Sequence, residues 1–156
     1  MQNIDWPTIT TAIVAVYGAI LSTYNLVMKR KENKRQVDVT FKWGLVDATD
    51  KPNAMFFLNA ANPGKRTVTL EGCHIEFPNK KQLVMPYTQG TIKFPHDLEE
   101  GKNCTVWFPV SEVVEALVGE GYTGNVSICA VFRDALGGKY KSIPFKGDVS
   151  EWAKVR

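Results

Sequence analysis

The chain has 156 residues and a mass of 17.4 kDa, room for one compact domain and a short appendage. Apolar residues make up 44%, charged 22% and aromatic 11%, which excludes a fully disordered chain, and three Cys are too few for a disulfide-stapled scaffold. A mean hydropathy of −0.17 excludes a polytopic membrane protein and leaves room for one span. The net charge of +3 is localised: Lys29, Arg30, Lys31, Lys34 and Arg35 stand close together against Glu32, whereas acidic and basic residues balance from Gln36 onward. A neutral domain lacks the positive surface that phosphate backbones require, so nucleic acid is not an expected partner.

No charged residue occurs from Trp6 to Met28. As a helix, that segment is long enough to cross the ~30 Å hydrocarbon core of a bilayer. Trp6 suits an interfacial anchor and Pro7 a first helical turn. The basic cluster follows at once, the arrangement expected for an outside N-terminus and a cytoplasmic C-terminal domain. A cleaved secretory signal would carry its basic residues in front, where this chain has Asp5. An interfacial amphipathic helix would carry charge along one face, and this segment carries none. Residues 1–28 are therefore read as a single-pass transmembrane helix, 29–36 as a basic juxtamembrane linker and 37–156 as a soluble domain. Trp6, Lys29, Arg30, Lys31, Lys34 and Arg35 are the expected membrane-surface contacts.

Within the span, Thr11, Ala15, Gly18, Ser22 and Asn25 recur at spacings of 4, 3, 4 and 3. That spacing places small and polar side chains on one stripe, where backbones of neighbouring helices can approach and hydroxyl or amide groups can bond across. The stripe is a candidate helix–helix interface, and a homo-oligomer is the expected assembly.

Beyond the linker the hydrophobic period falls to two. Val37, Val39, Phe41, Trp43 and Leu45 alternate with polar residues or Gly and predict a half-buried strand. Ala54–Ala60 predicts a buried strand and Asn62–Lys65 a tight turn. Thr67–Leu70 and His74–Phe77 read as one bent strand or two short ones, with Gly72 at the bend. Gln82–Met85 and Thr91–Phe94 are short apolar pieces around a Pro/Gly loop, and Asn103–Phe108 is a clear strand. Ser111 is the expected N-cap of a short helix carrying Val113, Val114, Leu117 and Val118. Asn125–Arg133 and Lys139–Phe145 predict a hairpin closed by Asp134–Gly138. The tail from Gly147 is weakly patterned apart from Trp152. The expected class is mainly β: an N-terminal transmembrane helix, then an antiparallel sandwich or small open barrel with one short helix. In element order, from Val37 to Lys146, the domain resembles immunoglobulin-like sandwiches of bacterial proteins. That resemblance implies a sandwich and no particular activity.

Chemistry-bearing residues are sparse. The two His are His74, in a strand pattern beside Cys73, and His96, in a polar loop; Cys104 and Cys129 also lie in strand patterns. Buried structural Cys is the commoner role in such positions. There is no Cys-x-x-Cys pair, Walker loop or EF-hand loop. No catalytic, metal or cofactor-binding residue is assigned, and no cofactor is expected. Trp43, Trp107, Phe56 and Phe57 are expected in the core. Tyr87, Phe94, His96 and Tyr122 fall at strand ends and loops, where a sandwich keeps its binding surface. The expected function is a membrane-anchored, non-enzymatic binding or scaffold module, with the bilayer, a second copy and a protein or small molecule as partners. The competing expectation is a ligand-responsive oligomeric effector or pore whose β-domain senses a small molecule.

Overall fold

The computed structural model describes residues 6–46, 53–84 and 89–154. The chain divides into two compact units, Met1–Lys34 and Arg35–Arg156.

The first unit is α1 (Trp6–Glu32), a single helix about 40 Å long. Every side chain from Trp6 to Arg30 is exposed, and the segment is long and apolar enough to span a membrane. Thr10, Thr11 and Thr23 donate their hydroxyls to the carbonyls of Trp6, Pro7 and Ala19, each one turn back. That back-bonding lets a Thr sit in an apolar helix without an unsatisfied donor.

The second unit is built from ten strands and two short helices: β1 (Asp38–Val46), β2 (Asn53–Ala61), β3 (Val68–Glu76), β4 (Gln82–Leu83), β5 (Gln89–Gly90), β6 (His96–Leu98), β7 (Asn103–Pro109), α2 (Val110–Gly119), β8 (Asn125–Asp134), β9 (Lys139–Lys141), β10 (Phe145–Asp148) and α3 (Val149–Lys154). Two antiparallel sheets result. One has the order β1-β2-β7-β5; the other runs β10-β8-β3-β4, with β6 also on β3 and β9 also on β8. The protein is thus mainly β and sandwich-like.

Register explains the core. Phe41, Trp43 and Leu45 stand opposite Leu58, Phe56 and Ala54, and Phe56 and Leu58 in turn face Phe108 and Val106. Paired residues share a face of the pleat, so these side chains form the inner surface of the first sheet. Leu70, Cys73 and Ile75 on β3, with Ile128, Ala130 and Phe132 on β8, supply the opposing surface. Most of these residues are fully buried. Asn62 fixes the turn after β2: its Nδ2 donates to the carbonyls of Arg66 (2.7 Å) and Leu98 (2.8 Å), and its Oδ1 accepts from the Gly64 amide (2.9 Å).

The first of the two readings of 67–77 holds: β3 is one strand, with a register shift between Leu70 and Gly72. Several other local expectations change. His96 lies on a strand rather than in a loop, because its segment finds an edge on β3. Residues 91–94 form no strand. Lys139–Phe145 is not one strand: β9 and β10 are separated at Ser142, whose Oγ accepts from the Ala130 amide and donates to the Ile143 carbonyl. Helix α2 begins at Val110 behind Pro109, with no side-chain cap, so Ser111 is not its N-cap. Among the described residues the domain has two short helices where one was expected, since the tail from Val149 forms α3.

Candidate functional site

On α1 the stripe Thr11, Ala15, Gly18, Ser22 and Asn25 is exposed along its length. A Cβ placed on Gly18 meets nothing within 4 Å. The Thr11 hydroxyl is already used within its own helix, 2.9 Å from the Pro7 carbonyl, which removes it as a donor to a neighbouring helix. Trp6 opens α1, and Lys29, Arg30 and Lys31 lie in its last turns. Lys34 follows the helix, and Arg35 begins the sandwich unit.

Among the described residues, the candidate ligand positions do not converge. Tyr122 meets the ring of Phe77 edge-on at 6.3 Å, and its hydroxyl accepts from the Asn79 amide. His96 stands opposite Leu70, at the other end of β3, about 20 Å away. Phe94 packs beside Phe132 at 6.4 Å, as part of the core's margin. Tyr87 lies outside the described residues.

One concavity of the sandwich was not announced by the sequence. Phe41 and Trp43 are both on the inner face of the first sheet, yet Phe41 is 9% exposed and Trp43 51%, with Leu45 at 57%. The inner surface therefore runs beyond its cover at this end. Trp152 from α3 partly fills the gap. Its indole stacks on Phe145 (5.9 Å, 22°) and meets Phe56 edge-on (5.3 Å, 79°). Gly147 makes that placement feasible, because a Cβ there would fall 2.2 Å from Trp152 Cζ2. A cavity of about 360 Å³ remains, walled by Trp43, Phe56, Val110 and Trp152 and bordered by Asp148 and Glu151. The Asp148 carboxylate accepts from the Ser150 amide (2.8 Å) and hydroxyl, and these bonds hold its pKa below the ordinary carboxylate value. A larger open cleft shares Ala54 with this cavity and is lined also by Met55, Gln89, Glu112, Glu115, Val118 and Ala153.

Of the four aromatics expected in the core, only Phe56 is there. Phe57 and Trp107 pair across the outer face of the first sheet, 6.4 Å apart, and the Trp107 Nε1 donates to Gln89.

The thiols are placed for packing. Burial pushes Cys73 up to about 12, with Cys104 nearby adding to the effect, and pushes Cys104 up to about 11; burial raises Cys129 as well. Such thiols hold little thiolate at neutral pH and are poor nucleophiles. Among the described residues, no three His, Cys, Asp or Glu side chains gather into a metal-binding group.

Fold and geometry thus define a β-sandwich preceded by one apolar, span-length helix, with an aromatic cavity at the open end of the sandwich. No protein-family model matches the chain, and no curated protein matches it.

Proposed function

We propose that this protein is a single-pass membrane protein whose sandwich is a non-enzymatic binding or scaffold module, with the N-terminus outside and the sandwich in the cytoplasm. The observation that carries the reading is α1: every side chain from Trp6 to Arg30 is exposed, whereas the sandwich buries a core of its own. An exposed apolar helix of this length calls for lipid as its solvent. The basic residues that follow would add about 1 kcal/mol each of attraction to an anionic leaflet. Weakly reactive thiols and an aromatic cavity favour binding over catalysis.

Washing membranes with alkaline carbonate should leave the full chain in the pellet and release the fragment 36–156. Release of the full chain would overturn the anchor. The same two species, sized in detergent, report on assembly through the stripe: an oligomeric full chain beside a monomeric fragment supports it, and two monomers would remove it. Replacing Gly18 with Ile should abolish the oligomer while leaving insertion intact. The second reading, a ligand-responsive oligomeric effector or pore, draws its support from the cavity beside Trp43 and Trp152; it gains if the oligomer survives deletion of the sandwich.

A further inference from the structure

We propose that the cavity between Trp43, Phe56 and Trp152 binds an alkylated organic cation, a quaternary or tertiary ammonium, through aromatic faces and the carboxylates of Asp148 and Glu151. This rests on the reading of the sandwich as a binding module and names the ligand class.

Three features point to that ligand. The first is an uncovered wall. Trp43 lies on the core-facing side of β1, in register with the fully buried Phe56, yet half of its surface is open. A Trp on an inner face leaves a large aromatic surface in water that a ligand of matching shape would cover. The second is rigidity. Trp152 is held by Phe145, Phe56 and the bare backbone of Gly147, so the cavity is formed before any ligand arrives. Its volume of about 360 Å³ falls within the range of small-molecule sites. The third is charge. Among the described residues, the lining holds two carboxylates, Asp148 and Glu151, and no Lys, Arg or His.

Aromatic faces attract cations through the ring quadrupole, and negative charge at the rim adds to that attraction. The walls otherwise consist of Ala54, Val110 and Gly147, which offer no side-chain acceptor. A primary ammonium could pair only with the two rim carboxylates, of which Asp148 already accepts from Ser150, and would leave its remaining N–H donors unpaired on entering such a site. An alkylated ammonium has few or none to lose, and its methyl groups gain apolar contact.

Full-length protein in maltoside micelles, labelled with fluorotryptophan, tests this. Its four Trp give four fluorine resonances, assigned by Trp→Phe replacement. Choline is the probe. It should shift the Trp43 and Trp152 resonances saturably and leave Trp6 and Trp107 in place. The isosteric neutral alcohol 3,3-dimethylbutan-1-ol, and ethanolamine with its primary ammonium, should each bind at least tenfold more weakly. Glu151→Gln should weaken choline at least fivefold without changing the neutral alcohol. Gly147→Ala should displace the Trp152 indole and abolish choline binding, with an unmoved Trp107 resonance reporting that the first sheet is intact. Nanodiscs separate two sources of the same chemistry. Trp43 and Trp152 resonances already shifted in phosphatidylcholine, relative to phosphatidylglycerol, assign the cation to a lipid headgroup; identical resonances assign a free amine. An alcohol that matches choline, or no saturable shift at Trp43 and Trp152, would overturn the proposal. Neither result bears on membrane anchoring, which the carbonate wash decides separately.

Discussion

The helix and the sandwich solve opposite solvation problems. On α1, Ile13, Val16, Ile20 and Leu26 are as apolar as anything in the core, and all are exposed. In the sandwich, Phe56, Leu58, Phe108 and Phe132 are fully buried between two sheets. Sandwich side chains find their apolar surroundings within the chain; those of the helix are exposed along its length. Stability of the two units should therefore respond to different solvents and different mutations.

The largest expected effect is in the sandwich. Phe56→Ala removes a ring that touches Phe41, Phe145 and Trp152, and should cost about 3–5 kcal/mol in urea unfolding of the β-domain. Insertion of the helix should not change. The converse is Ile20→Arg, which places a charge near the middle of α1. It should disfavour insertion by about 3–4 kcal/mol and move protein from the carbonate-resistant pellet to the supernatant. Urea unfolding of the sandwich should shift by less than about 0.5 kcal/mol. Equal insertion of variant and wild type would break the comparison, because α1 would then need no lipid.

Legibility in the sequence followed the same division. The helix could be read because a run without charge needs no partner to be recognised. Strands β1, β2, β7 and β8 could be read because each has one covered face, which leaves a period of two. Helix α3 could not: six residues give less than two turns, too few to show a period, and its packing depends on Gly147 yielding space to Trp152. Strand β6 was hidden for a similar reason, since His96–Leu98 owes its conformation to the edge of β3. The cavity was invisible in principle. Val39, Phe41, Trp43 and Leu45 form one unbroken alternation, and nothing in it tells which members the opposite sheet reaches. Cover is a property of the other sheet's extent.

A third, smaller effect separates side chains that hold backbone from those that fill space. Asp134, 4% exposed at the end of β8, accepts from the amides of Leu136 (2.9 Å) and Gly138 (2.7 Å) and from the Tyr140 hydroxyl (2.8 Å). Burial alone would raise its pKa, but the bonds from Tyr140, Gly138 and Leu136 together outweigh burial and leave it below the ordinary 3.8. Burial and the same carboxylate push Tyr140 up to about 12. Asp134→Ala should cost about 2–3 kcal/mol at neutral pH, because three donors lose their acceptor. With a depressed folded pKa, the contribution of Asp134 is fully present above 3.8 and is lost as pH falls through the folded value. The gap between wild type and variant should therefore narrow below that pH in urea titrations.

The smallest effect concerns the outer face of the second sheet, where burial is achieved without satisfying every polar atom. His74 is 2% exposed, opposite the fully buried Val131, and its Nε2 has no hydrogen-bond partner among the described residues. Burial lowers its pKa first, and Arg133 on β8 with Lys139 and Lys141 on β9 lower it further; Glu76, paired with Lys141 at 2.7 Å, opposes them. The folded imidazole is thus harder to protonate than the unfolded one. Above the ordinary value of 6.5 both states are neutral and stability is independent of this group. As pH falls below 6.5 the unfolded chain takes up the proton first, so stability should drop by at most about 1.4 kcal/mol per pH unit from this residue. His74→Leu removes both the proton site and the unpaired nitrogen while keeping an apolar neighbour for Val131. It should be neutral or stabilising by about 1 kcal/mol at pH 7.5, since an unpaired buried polar atom carries a desolvation cost. Between pH 6.5 and 5 its stability curve should be flatter than that of the wild type. An unchanged slope would mean that His74 reaches solvent or a partner readily enough to take its proton in the folded state, and that the outer face of this sheet is less tightly closed than its inner one.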